Sequence, residues 1–82
     1  MHLKWTKTSK GGEPLTIETI INPKLKMFIH YGNYAQNYNL YLSVYGIAST
    51  LIHSYTLKGN AKRGAKRYLK KLLKDLTVLD NT

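Results

Sequence analysis

One segment near the C-terminus, from Asn60 to Leu76 (NAKRGAKRYLKKLLKDL), constrains the fold more than any other. At 100° per residue its apolar side chains fall in one arc and its basic side chains fill the opposite arc. This separation predicts a surface helix with one buried face, which begins after Gly59 with Asn60 as its N-cap and ends near Leu76. The apolar arc contains Ala61, Ala65, Tyr68, Leu69, Leu72, Leu73 and Leu76.

The chain before this helix consists of short runs rich in β-branched and aromatic residues, separated by turn residues. The runs cover residues 2–8, 15–21, 26–31, 38–45 and 49–57. In the fourth run Leu40, Leu42 and Val44 alternate with Tyr41 and Tyr45. Short, locally connected strands favour an antiparallel meander, because parallel strands need crossover helices. We therefore predict an α+β fold: an antiparallel sheet of three to five strands with one C-terminal amphipathic helix packed on one face.

Two residues are expected to have specific packing roles. Trp5 is the only tryptophan of the chain, and we expect it to fill the core near the edge of the sheet. Gly64 lies inside the predicted helix, where glycine costs about 1 kcal/mol relative to alanine. We therefore expect Gly64 to mark a close approach between the helix and its neighbour.

Composition limits the class of protein further. Without cysteine there is no disulfide, no thiolate metal site and no cysteine nucleophile. The N-terminus lacks the apolar core of a signal peptide, and no apolar run approaches the roughly 18 residues that span a membrane. The chain has 82 residues, 43% of them hydrophobic, which predicts one small domain over residues 1–82 with a frayed tail from 77 to 82. We expect the protein to be cytoplasmic and to have no membrane partner.

The basic arc of the predicted helix is the main candidate site. Five like-charged pairs stand four residues apart, and together they cost roughly 1–2.5 kcal/mol of helix stability at low salt. No acid lies in the first turn, where the helix dipole favours one. This pattern and a pI near 9.9 predict contact with a polyanion, DNA or RNA above all; the alternative is a solvated face. The residues are Lys62, Arg63, Lys66, Arg67, Lys70, Lys71 and Lys74.

A second candidate surface comes from the aromatic residues of the strands. If Leu40 and Leu42 face the helix, Tyr41 and Tyr45 point to the other face of the sheet. Phe28 and His30 share one side of the neighbouring strand. Together these four residues could stack on bases. The alternative is that they are ordinary strand residues covering a half-exposed sheet surface.

The sequence argues against an enzyme. The four acids form no pair suited to general acid–base work, and the three histidines lack metal-ligand spacing. There is no phosphate-cradling glycine motif, so we expect no metal, no cofactor and no small-molecule substrate. One catalytic alternative stays open, a small toxin-type ribonuclease that needs no metal. In that hypothesis His30 or His53 would act as the base and a nearby lysine would stabilise the phosphorane.

The order of strands and helix, with Trp5 near the start, resembles the three-stranded DNA-binding domains of integrase arms and of some plant transcription factors. The stretch LKGNAKRGAKRYLKKLL is similar to the strand-to-helix junction of many small phage-encoded proteins. These resemblances imply DNA binding and a phage or mobile-element origin, in a bacterial host cytoplasm. No signature residue matches, so no functional residue is carried over. The main alternative is an inhibitor of host defence, like anti-CRISPR proteins, that docks on a nuclease or its guide RNA.

Overall fold

Every pair of neighbouring strands is antiparallel, and the order across the sheet is the order along the chain. The computed structural model describes residues 3–32, 35–44 and 48–80, with side chains up to residue 74. The predicted α+β architecture, an antiparallel sheet followed by one C-terminal helix, is confirmed. Its elements are β1 (Thr6–Lys7), β2 (Thr16–Asn22), β3 (Leu25–Gly32), β4 (Asn37–Val44), β5 (Ala48–Tyr55) and α1 (Lys58–Asp80).

The core lies between α1 and the face of the sheet formed by alternate residues of β2, β3 and β4. Ile17, Ile29 and Leu40 pair across the three strands and therefore point to the same face. Met27 lies in the adjacent row and, like Ile29 and Leu40, is fully buried. Small side chains of α1 allow a close approach to this face. The helix residues buried against it are Ala61, Ala65 and Leu69.

Trp5 and the alternation in β4 behave as the sequence predicts. Trp5, next to the edge strand β1, is half-buried and packs against the core. Leu42 also packs against the core on the side of Leu40. Val44 lies at the end of its strand and stays exposed. Alternation alone was therefore enough to assign the faces of β4.

The first strand is shorter than predicted. Of the run from 2 to 8, only Thr6 and Lys7 pair with β2, and His2 lies outside the described residues. The chain then turns, because the backbone amides of Thr8 and Ser9 both donate to the carbonyl of Thr16. β1 therefore pairs with only two residues of β2, Ile17 and Glu18.

The prediction that Asn60 caps the helix is wrong. The helix starts three residues earlier, at Lys58, because the carbonyl of Leu57 accepts from the amide of Ala61 at 3.1 Å. Gly59 and Asn60 therefore lie inside the first turn. The helix also continues to Asp80, through part of the segment predicted to fray; residues 81 and 82 lie outside the described chain.

The buried arc of α1 is narrower than the predicted apolar arc. Leu73 is 40% exposed, whereas Leu72, which lies between Ala61 and Ala65 around the helix but further along it, is half-buried. Leu73 stands about 40° beyond Leu69 around the helix, next to the lysines at the border of the arc. Close packing through alanine and glycine keeps the contact narrow, so Leu73 falls outside it. The side chain of Leu76 is not among those described.

Gly64 is the point of closest approach that the sequence predicts. A β-carbon there would overlap the hydroxyl of Tyr55 and stand 2.5 Å from its Cζ. Tyr55 is the last residue of β5 and its ring packs against the core. Glycine at position 64 therefore lets the Tyr55 ring lie across the helix backbone.

We expect Gly64→Ala to destabilise the protein by about 1–3 kcal/mol, because Tyr55 would have to move out of a packed position. Helix propensity alone predicts a gain of about 1 kcal/mol for the same change. Gly59→Ala is the matched control, since the nearest atom to its β-carbon is the flexible end of Arg63 at 3.7 Å. Urea denaturation of both variants measures the difference. If Gly64→Ala stabilised the protein as much as Gly59→Ala, the contact with Tyr55 would not exist in solution.

Candidate nucleic-acid interface

The basic residues of α1 point away from the sheet, because Ala61, Ala65 and Leu69 point into it. Lys62, at the border of the buried arc, is half-buried. The other predicted basic residues are all exposed on one side of the helix. We call this surface the basic face; it consists of Arg63, Lys66, Arg67, Lys70, Lys71 and Lys74.

The positive charge of the basic face is not neutralised by any carboxylate whose side chain is described. Glu13 accepts from the backbone amide of Lys10 at 3.2 Å, in the turn before β2. Glu18 pairs with Lys26 on the sheet, with 3.3 Å between Nζ and Oε2. Within the described side chains, this is the one salt bridge. Among the described side chains, the basic face is therefore a continuous region of positive charge without a carboxylate partner.

Arg63 is held against the start of the helix. Its Nη2 donates to Oδ1 of Asn60 at 3.2 Å, and its Nε donates to the carbonyl of Gly59 at 3.4 Å. Both hydrogen bonds are exposed to solvent and long, so a phosphate oxygen can replace them. Asn60 thus orients the first arginine of the basic face instead of capping the helix.

The sheet face opposite α1, which we call the open face, carries a stacked aromatic pair at its centre. Phe28 and Tyr41 pair across β3 and β4, with ring centroids 4.8 Å apart and an angle of 14° between the rings. His30 is on the same face, and its Nδ1 is 2.8 Å from the hydroxyl of Thr16. Three of the four predicted aromatic-face residues therefore share a surface. The fourth, Tyr45, lies outside the described residues.

The stacked pair restricts what the open face can bind. Each ring covers one face of the other, so Phe28 and Tyr41 do not present two free faces to incoming bases. Two apolar side chains on the same face are exposed, Ile20 by 70% and Leu51 by 51%. The open face is thus an apolar surface with few charges, and Glu18 and Lys26, which lie on the same face, neutralise each other.

The basic face and the open face lie on opposite sides of the molecule, so the structure does not join them into one binding surface. The two described histidines are also apart. His30 is on the open face, whereas His53 pairs with Leu40 and points to the side of the helix. In the part of the chain that is described, no three His, Asp or Glu side chains gather into a possible metal site.

A groove runs between β5 and α1, and the sequence did not predict it. Its walls carry the rings of His53 and Tyr55, whose centroids are 4.8 Å apart at an angle of 67°. It has a volume of about 410 Å³. We call it the β5–α1 groove; its lining is Ile52, His53, Tyr55, Gly64, Arg67, Tyr68 and Lys71.

A β-bulge shapes the groove. Leu40 pairs with His53 and Tyr41 pairs with Leu51, so Ile52 is an extra residue in β5. Ile52 packs against the core while His53 beside it stays exposed. Gly64 was the only sequence signal for this site, because a helical glycine among basic residues indicated close packing.

Comparisons with known protein families, with characterised proteins and with solved structures find no match for this chain. Among the described residues, no helix is both long enough and apolar enough to cross a membrane.

Proposed function

We propose that this protein binds nucleic acid through phosphate contacts of the basic face of α1. The observation that carries the proposal is the set of six exposed Lys and Arg side chains with no described carboxylate near them. Clustered positive charge of this kind costs helix stability unless a polyanion binds to it. Phosphates release condensed counterions when they meet such a surface, and this release drives binding.

The basic face suits contact with the phosphate backbone more than readout of bases. From Arg63 to Lys74 it extends about 16 Å along the helix, at 1.5 Å per residue. It presents only Lys and Arg, which bind phosphates beside any base and read directly only guanine, and no Asn or Gln stands among them to pair with adenine. The protein therefore binds DNA or RNA with little sequence preference. Its similarity to phage-encoded junctions supports a phage or mobile-element origin and a place in the bacterial cytoplasm.

Salt dependence tests this proposal. If the basic face neutralises about four to six phosphates, log K for B-DNA falls with log salt at a slope of roughly −4 to −5. Affinity should then drop roughly 250- to 1,000-fold between 50 and 200 mM salt. Fluorescence anisotropy with duplexes of two unrelated sequences measures both the slope and the sequence preference. Failure to bind any duplex or single strand at low salt would refute the proposal.

The open face favours a second candidate function, docking on a host nucleoprotein as an inhibitor. Exposed Ile20 and Leu51, beside the Phe28–Tyr41 pair, form an apolar and aromatic surface of the kind found at protein interfaces. The basic face on the other side of the molecule would then contact guide RNA or an acidic protein surface. A lysate pull-down separates the two functions. Nuclease treatment abolishes capture that depends on phosphate contacts alone. A partner protein that binds through Leu51 is retained after nuclease treatment and is lost in the variant Leu51→Asp.

A further inference from the structure

We propose that the β5–α1 groove binds an unstacked base of single-stranded nucleic acid, while Arg67 and Lys71 hold the adjoining phosphates. This inference rests on the proposed function, because the same strand would contact the basic face. It adds a ligand class, single strands in preference to duplex, and a site on the opposite flank of the helix from Lys62.

The lining of the groove has the chemistry that single-strand binding needs. Bases stack on aromatic side chains whatever the sequence of the strand, because every base has a π-face. The groove offers three rings, of which His53 is exposed while Tyr55 and Tyr68 are half-buried. The His53 ring meets the Tyr55 ring edge-on, so the two rings do not cover each other face to face. This differs from the open face, where Phe28 and Tyr41 are stacked.

The charge and shape of the groove also fit this ligand. Arg67 and Lys71 stand one helical turn apart and belong both to the groove and to the basic face, so a backbone lying on the basic face passes the mouth of the groove. No described acid lines the groove. Its volume of about 410 Å³ falls within the range of roughly 300–1,000 Å³ found for small-ligand sites. Gly64 lets the Tyr55 ring lie against the helix backbone as one wall of the groove, and the bulge brings Ile52 against the core beside His53.

Duplex nucleic acid cannot use the groove, because its bases are stacked and paired inside the helix. Duplex would contact only the outer part of the basic face. Groove substitutions should therefore weaken binding of single strands alone, and charge substitutions should weaken binding of both forms.

The test compares oligo-dT of about 12 nucleotides, within the usual site size, with a duplex of the same length. Tyr55→Leu removes the aromatic face, and its matched control Tyr55→Phe keeps it. His53→Ala is the second variant, and because His53 is exposed its loss leaves the core intact. A dT oligomer with a central 2-aminopurine reports stacking directly, since stacking quenches its fluorescence.

We expect Tyr55→Leu and His53→Ala to weaken oligo-dT binding about 5- to 100-fold and to reduce the quenching. Tyr55→Phe should stay within about 2-fold of the parent protein, and duplex affinity should stay within about 2-fold in all three variants. Unchanged oligo-dT affinity in folded His53→Ala and Tyr55→Leu overturns the groove proposal, and so does an equal loss for duplex. If the parent protein binds duplex but no single strand, the groove proposal fails and the proposed function stands. If it binds neither, both fail.

Discussion

Replacing Leu69 by alanine is expected to lower the free energy of unfolding by about 2–5 kcal/mol. Leu69 is 1% exposed and is the largest helix side chain in the core, where it packs with Met27, Ile29 and Leu40. Its truncation leaves a cavity between helix and sheet that alanine and glycine neighbours cannot fill. A small domain has about 5–15 kcal/mol of stability in total, so this variant is expected to lie close to unfolding.

Leu73→Ala is the matched control, with the same change one turn further along the same helix. Because Leu73 is 40% exposed and outside the core, we expect a loss of less than about 1 kcal/mol. Urea denaturation followed by far-UV circular dichroism measures both variants, and equal slopes against urea would show that only stability has changed. Equal losses for Leu69 and Leu73 would mean that α1 is rotated relative to the sheet from the orientation described.

The faces of the strands were predictable because alternation is a local signal. Leu40 and Leu42 point to the helix and Tyr41 points away, as the period of two requires. The start of the helix was not predictable from local signals. The N-cap preference of Asn60 is worth about 0.5–2 kcal/mol. A connection of only two residues after Tyr55 instead starts the helix at Lys58, which brings Ala61 and Ala65 onto the sheet.

The two candidate sites also differ in how far local sequence signals predict them. Prediction of the basic face needs only the helical period, because a correctly phased helix determines which lysines are exposed. The β5–α1 groove depends on a bulge at Ile52 and on the Tyr55 ring lying across Gly64. Both features arise from pairing between distant parts of the chain, so no window of sequence contains them. His53 and Tyr68 were therefore not recognised as members of a common site.

Reversing three charges of the basic face, Arg63→Glu, Arg67→Glu and Lys70→Glu, is expected to abolish nucleic-acid binding while the fold is kept. All three side chains are exposed, so their replacement leaves the core unchanged. Three of the five repulsive pairs on the helix become attractive, which favours the helix by a few tenths of a kcal/mol for each pair. Position 63 lies in the second turn, because the helix starts at Lys58, so the helix dipole adds little there.

The effect on binding should be large, because each reversal removes a phosphate contact and adds a repulsion. We expect affinity for duplex and single strand to fall roughly 100-fold or more at 0.1 M salt. The formal net charge drops from +9 to +3, since each reversal removes two positive charges. A loss of binding could therefore reflect net charge alone, and a control of equal charge has to separate the two causes.

Lys4, Lys7 and Lys10 provide that control, because all three are exposed and lie outside the helix. Changing each of them to glutamate gives the same net charge of +3 and leaves the basic face intact. We expect this control to lose less than about 10-fold in affinity, through weaker long-range attraction only. Thermal melting and anisotropy titrations on the same preparations compare the two triple variants. Equal losses of affinity would show that nucleic acid responds to total charge, whereas a selective loss in the helix variant would identify the basic face as the binding surface.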